Sequence, residues 1–261
     1  MKLTKIILLF TFLFCDLAYV SCNTSKHKEP VKNPKDILSS FNNFWKYWNK
    51  DVKLSEDFVA CNENDAIIDR DFFLNEISKG HYLPLRLQSN DSINYYKLYN
   101  ITDVENNDII NTVKMYGEQY YKYFEMEDKP LPGFSYVYLN GKNYTPENCK
   151  GKIIVLNFWF IHCNSCVAEM PELNQMVNSY KDRNDILFIS MAFDSKNKLE
   201  EFLKKTTFNY AVIPVTESYV MDTLKIMSFP THIILNKKNL VAKIPEDYHE
   251  LEIELKKEAL K

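Results

Sequence analysis

The chain has 261 residues, 46% apolar and 26% charged, with a formal net charge of −3, a composition that supports a buried core and excludes a disordered chain. The near-neutral charge gives no basic footprint for nucleic acid and no polybasic patch for a membrane surface. Five glycines, at 80, 117, 133, 141 and 151, allow no GxGxxG or Walker-type loop and so no glycine-built nucleotide cradle, whereas six cysteines, at 15, 22, 61, 149, 163 and 166, need explaining.

The chain opens Met1-Lys-Leu-Thr-Lys5, then runs from Ile6 to Cys15 without a charge. A basic start followed by about ten apolar residues has signal-peptide proportions and is too short for a bilayer span of about 20. Residues 1–21 are therefore expected to be a leader. Tyr19-Val-Ser-Cys22 resembles a bacterial lipobox in placing a small residue before a cysteine, and departs from it at Tyr19, where leucine is usual. Lipidation of Cys22 and ordinary cleavage nearby are both open. Residues 22–35, polar and carrying two prolines, read as a tether.

Apolar positions at 37, 41, 44 or 45, 48 and 52 form one stripe of a helix, with Phe41, Trp45 and Trp48 as core candidates. Ile109, Val113, Tyr116, Tyr120 and Phe124 mark a second helix. Between them, 80–87 and 95–99 read as short strands or turns. Residues 36–129 are thus expected to be a mostly helical region of unknown function, without a catalytic constellation.

From 130 the pattern alternates strand and helix, as in an α/β layer fold. Phe134 to Leu139 can pair with the segment after Asn140-Gly141, a dipeptide suited to a tight hairpin turn. Residues 151–158 form a nearly unbroken apolar run, as a strand buried on both faces requires. Met170, Leu173, Val177 and Tyr180 carry helical spacing, and 186–193 is the next buried strand. A helix near 196–205, a strand at 210–215, a helical stretch at 217–227, strands at 231–235 and 240–244 and a helix over 246–260 complete the expectation.

Cys163-Asn-Ser-Cys166 falls just after the first buried strand, at the start of a helix. Helix N-terminal amides favour negative charge, so the first thiol can ionise near neutral pH, and the spacing lets the two sulfurs meet. No second cysteine pair or Cys-His pair stands at metal spacing, which argues against zinc. His162 precedes the pair, whereas haem attachment needs a histidine after it. The pattern points to redox exchange, with no metal and no cofactor beyond the Cys163–Cys166 disulfide.

Asn157-Phe-Trp-Phe-Ile-His-Cys-Asn-Ser-Cys-Val-Ala-Glu-Met-Pro171 resembles the active-site segment of the thioredoxin-like TlpA and ResA family of envelope thiol-disulfide oxidoreductases, and Ser228-Phe-Pro-Thr-His-Ile-Ile-Leu-Asn236 resembles that family's cis-proline loop. The resemblance covers residues 130–261 and implies a thioredoxin fold, a mixed sheet flanked by helices. It implies that Cys163 is the nucleophile and Cys166 the resolving thiol. It also implies that Trp159 packs beside the pair, that Pro230 is cis, and that Trp159, Phe229 and Pro230 form the substrate contact. Thioredoxins proper place an aspartate where Asn157 stands; a neutral amide takes no proton, so Glu169, three residues after Cys166 on the same helical face, becomes the expected base.

The implied function is disulfide reduction on the periplasmic side of the envelope, with protein disulfides, cytochrome c maturation partners among them, as substrates and an upstream envelope thiol as reductant. A lipid anchor at Cys22 would supply the membrane contact. A peroxiredoxin-type peroxidase is the weaker alternative, since Phe160 stands where that class carries threonine; a non-enzymatic envelope binding protein with an accessory redox domain is another. His162 is either a charge partner of the thiolate or a surface neighbour, and His232 is expected to be a strand residue. Cys149 is expected to be a buried small apolar group, with a bridge to Cys61 left open.

Overall fold

The computed structural model describes residues 28–133, 136–139, 141 and 143–261. The expected leader, Cys15, the Cys22 lipidation site and the start of the tether lie outside the described residues.

In the N-terminal half the single helix expected from residue 37 is two, α1 (Pro34–Leu38) and α2 (Phe41–Asp51). Ser40 leaves the helical conformation and its Oγ accepts the Asn43 N–H at 3.2 Å, the hydroxyl capping that serine favours. The break resets the helical phase: α2 buries Phe44, Tyr47 and Trp48, while Phe41 is exposed and Trp45 only half-buried. Of the three expected core aromatics, only Trp48 is fully inside.

β1 (Phe58–Cys61), β2 (Ile67–Ile68), α3 (Arg70–Ser78), β3 (Tyr82–Leu87), β4 (Asn94–Asn100) and α4 (Asn107–Met126) follow. The four helices hold more than twice as many residues as the four strands, but the strands make a real sheet, ordered β2-β1-β4-β3 with β1 parallel to β4. The ambiguous segments 80–87 and 95–99 are β3 and β4. Pro84, which cannot donate to a ladder, is accommodated because β3 is an edge strand. Two tyrosines tie the helices to this sheet. Tyr47 Oη donates to the Pro84 carbonyl and accepts the Arg86 N–H, both at 2.7 Å; Tyr96 Oη donates to the Asp51 carbonyl at 2.9 Å and accepts the Lys53 N–H at 2.7 Å. Gly117 lets α4 lie on α3, since a Cβ there would stand 2.7 Å from the Ile77 carbonyl oxygen.

The C-terminal half begins with the hairpin β5 (Tyr136–Val137) and β6 (Asn143–Tyr144), paired as expected but across a wider connection than a two-residue turn. It continues with β7 (Ile153–Trp159), α5 (Asn164–Ser179), β8 (Ile186–Ala192), α6 (Lys196–Leu203), β9 (Ala211–Pro214), β10 (Thr231–Leu235), β11 (Val241–Lys243) and α7 (Tyr248–Ala259). The mixed sheet runs β11-β10-β7-β8-β9, with β7, β8 and β9 parallel and β10 antiparallel to β7. Every residue of central β7 is buried, which explains its unbroken apolar run. The helical stretch expected over 217–227 runs over 217–223, most of it the π-helical segment Tyr219–Thr223; the chain then passes Lys225 at φ 59° into the loop before β10. With no glycine after 151, Lys225 and Asn239 take the left-handed conformations.

Each half has its own core, around Phe44, Phe73 and Tyr96 in the first and Leu156, Phe158 and Ile233 in the second. Cys61 lies on β1 and Cys149 in the second core, both buried, and no disulfide joins them. The junction is polar. Ser55 Oγ donates to Glu250 at 2.7 Å, Tyr120 Oη to Glu246 at 2.7 Å, and buried Lys243 lies 3.5 Å from both Asp57 and Glu127. Gln119 of α4 donates to Ser228 Oγ at 2.9 Å, which fastens the N-terminal half to the loop preceding β10.

Candidate active site

Strand β7 ends at Trp159, and Cys163 caps α5 in extended conformation. Its Sγ accepts the Cys166 N–H at 3.2 Å, so the first sulfur faces the positive end of a sixteen-residue helix. Cys163 and Cys166 are joined by a disulfide, with Cα atoms 5.3 Å apart. Both are largely covered, at 6% and 2% exposure, in an apolar cluster with Trp159, Met170, Ala192, Leu199 and Val212.

The Phe229–Pro230 peptide is cis and its loop lies against the start of α5: Ser165 Oγ, 3.4 Å from Cys163 Sγ, donates to the Phe229 carbonyl at 3.4 Å. Phe229, Phe160 and Phe193 form a ring cluster with centroids 5.1–5.6 Å apart beside the pair. Phe229 and Pro230 keep partial exposure, as a substrate-facing surface requires. Trp159 does not: it is fully buried, its indole N–H donates to Ser190 Oγ, and its ring packs on Phe202 and Phe208. A side chain with no accessible surface cannot touch a protein substrate, so Trp159 backs the pair from within. His162 is exposed. The Ile161 N–H between them is held by Asp194 at 2.8 Å.

Glu169 stands one turn beyond Cys166, with its side chain 13% exposed. Its Oε2 lies 3.0 Å from His232 Nε2, and His232 Nδ1 lies 3.5 Å from Asn157 Nδ2. Asn157 and His232 are opposite each other in the β7–β10 ladder, so the period-two alternation points both toward α5. Tyr210 is buried nearby; burial, with the Glu169 carboxylate beside it, pushes its phenol well above the ordinary range. Sequence reasoning correctly placed His232 on a strand but missed its partner, and it missed Ser165 and Asp194 altogether. Ser165 could have been noticed as a hydroxyl between the two cysteines, whereas Asp194 carries no local signal. Among the described residues no group of three or more His, Cys, Asp and Glu is arranged to hold a metal ion.

A family model described as thioredoxin-like matches residues 151–241. The chain is 28% identical over 121 residues to the thioredoxin-like protein YneN of Bacillus subtilis, covering 45% of this chain and 70% of that protein. It is 27% identical over 118 residues to the thiol-disulfide oxidoreductase ResA of Bacillus subtilis, covering 45% and 66%. Among solved structures, the thioredoxin domain of a thiol-disulfide oxidoreductase from Bacteroides vulgatus shares 20% identity at TM-score 0.45, covering 50% of this chain and 96% of that one. The exposed lipoprotein thioredoxin of Streptococcus pneumoniae shares 21% at TM-score 0.42, covering 49% and 98%. With a family match that spans the paired cysteines, the cis-proline loop and the central sheet strands, the C-terminal half is a thioredoxin-like domain whose relatives in sequence include thiol-disulfide oxidoreductases.

Proposed function

We propose that the protein is a thiol-disulfide oxidoreductase that reduces disulfides of client proteins in the cell envelope through Cys163 and Cys166. The observation that carries this reading is the disulfide closed across the first turn of α5, with the cis Phe229–Pro230 loop lying against it. In the reduced protein, the helix N-terminus favours the Cys163 thiolate. That thiolate attacks a client disulfide and releases one client thiol. Cys166 then attacks Cys163 in the mixed disulfide, frees the second thiol and regenerates the oxidised pair. Glu169 takes the Cys166 proton. Phe229, Pro230 and the exposed edge of the aromatic cluster receive an extended client segment.

Residues 1–21 act as the export signal and Cys22, when lipidated, holds the protein to the membrane on the periplasmic side. Clients include partners of cytochrome c maturation and misoxidised envelope proteins, and an envelope thiol reductant upstream restores the dithiol. No cofactor other than the cysteine pair takes part. Among the described residues no helix is long and apolar enough to cross a membrane.

The test is insulin reduction by the purified protein with dithiothreitol as electron source, alongside peroxide consumption. Accelerated insulin precipitation that is lost in Cys163→Ser supports the reading. Absent acceleration, or peroxide turnover in its place, overturns it.

A further inference from the structure

The row Asn157, His232 and Glu169 is more polar machinery than thiol exchange through two cysteines requires. His232 is 1% exposed and Asn157 2%, so neither can be satisfied by bulk water. A neutral imidazole carries one ring N–H and one lone pair, so the partner at one nitrogen fixes the role of the other. Asn157 Nδ2, a donor only, lies 3.5 Å from Nδ1; paired so, Nδ1 accepts and Nε2 is left to donate. Glu169 Oε2 lies 3.0 Å from Nε2, within reach of that donor. The other titratable groups facing Glu169 are Tyr210, at the entry to β9, and Tyr248 of α7. Burial raises both phenols, so both stay neutral at neutral pH.

We infer that His232 is a positioning residue: braced by Asn157 at one ring nitrogen, it fixes the Glu169 carboxylate with the other, one helical turn from Cys166, where that carboxylate takes the Cys166 thiol proton. The inference rests on the exchange reading and adds a residue to it. In the resolving step the Cys166 S–H bond breaks and its proton passes to Glu169. The Cys166 sulfur bonds to Cys163 Sγ while the bond from Cys163 to the client sulfur breaks. The client sulfur leaves as a thiolate with the electron pair of that bond and takes a proton from water, so the client is reduced and the cysteine pair oxidised. Asn157, in the slot where an aspartate would act as a base of its own, here serves the histidine.

The test follows reduced full-chain protein reacting with dithiobis-nitrobenzoate, which releases one coloured thiolate when Cys163 attacks and a second when Cys166 resolves the mixed disulfide. His232→Leu is expected to slow the second release on the order of tenfold, the weight of one hydrogen bond to a charged group. The first release is unchanged. His232→Gln, whose amide N–H can still donate, recovers most of the rate, and His232→Leu adds nothing in a Glu169→Gln background. Equal slowing of both releases, or a His232 effect that persists without the Glu169 carboxylate, overturns the inference. If His232→Leu does not fold by circular dichroism, Asn157→Leu carries the test: the second release slows while the first does not, and an unchanged second release is the overturning result. A wild-type protein that releases only one coloured thiolate refutes the exchange reading itself, a different outcome from a silent His232.

Discussion

The two halves use the same materials, a mixed sheet with helices on it, but dispose of their buried polar groups differently. In the N-terminal half Tyr47 and Tyr96 each spend their hydroxyl on one backbone carbonyl and one backbone N–H, joining helix to sheet. Burial lifts the Tyr47 phenol far above the ordinary range and that of Tyr96 up to about 12, so both are permanently neutral. In the C-terminal half buried Asn157 and His232 and partly buried Glu169 meet one another beside a redox-active turn. Polar groups that answer to backbone hold a shape; polar groups that answer to each other next to a reactive sulfur can hold or pass a proton. The contrast teaches where to look for chemistry: the described polar contacts of the N-terminal half join helix to sheet, whereas those of the C-terminal half gather beside the cysteine pair.

The largest expected effect separates the halves outright. Cys163→Ser should bring disulfide reduction down to the rate of the uncatalysed exchange, with the unfolding midpoint of the N-terminal half unmoved when followed by fluorescence of Trp45 and Trp48 in a Trp159→Phe background; loss of both together would deny that the halves have separate roles. Next comes Tyr47→Phe, which strands the Pro84 carbonyl and the Arg86 N–H. At about 1–3 kcal/mol for each buried group left unpaired, it should cost about 2–6 kcal/mol in urea unfolding. Retained kcat for insulin reduction in this variant would sharpen the assignment of Tyr47 to scaffold.

Gly117→Ala follows. An exposed helical glycine replaced by alanine gains about 1 kcal/mol, but here the added Cβ meets the Ile77 carbonyl at 2.7 Å. The variant should instead lose about 1–3 kcal/mol, the cost of overpacking. A stabilised variant would show that α3 and α4 give way.

The smallest effect lies at the junction and depends on pH. Burial pushes the Glu250 carboxyl up from 4.5 to about 7, against the opposing pull of the Glu246 N–H and the Ser55 hydroxyl. The folded state therefore binds this proton more tightly than the unfolded one. Its stabilising contribution is fully present below pH 4.5 and is lost as pH rises through about 7. Glu250→Gln removes that titration, so the variant should gain about 1–2 kcal/mol over wild type at about pH 8 and nothing at about pH 4. Thermal unfolding across that range checks it; a difference that shrinks with rising pH would reverse the sign.

Legibility in the sequence divided along the same line. The alternation of strand and helix after residue 130, the buried run of β7 and the paired cysteines at the start of α5 are all signals local in the chain. Two exceptions have physical causes. The α1–α2 break is local, yet Ser39-Ser40 lies inside an apolar stripe that reads through it, and capping won over periodicity. The stretch 217–227 has helical spacing but is helical only over 217–223, ending where Lys225 takes a left-handed conformation. The N-terminal sheet stayed ambiguous since β1 pairs with β4 in parallel across more than thirty intervening residues, and nothing near either strand announces the other.

By itself the sequence determined the reactive pair, its place at a helix N-terminus and the α/β character of the domain around it, because thiol spacing, hydrophobic period and helix polarity are properties of neighbouring residues. Only the tertiary structure decided that Trp159 is sealed inside and that Asn157 faces His232 across seventy-five residues of chain with Glu169 closing the row from α5. Register between distant strands is fixed by the packing of whole sheet faces. A one-residue slip of β10 would turn His232 to the opposite face, away from Glu169.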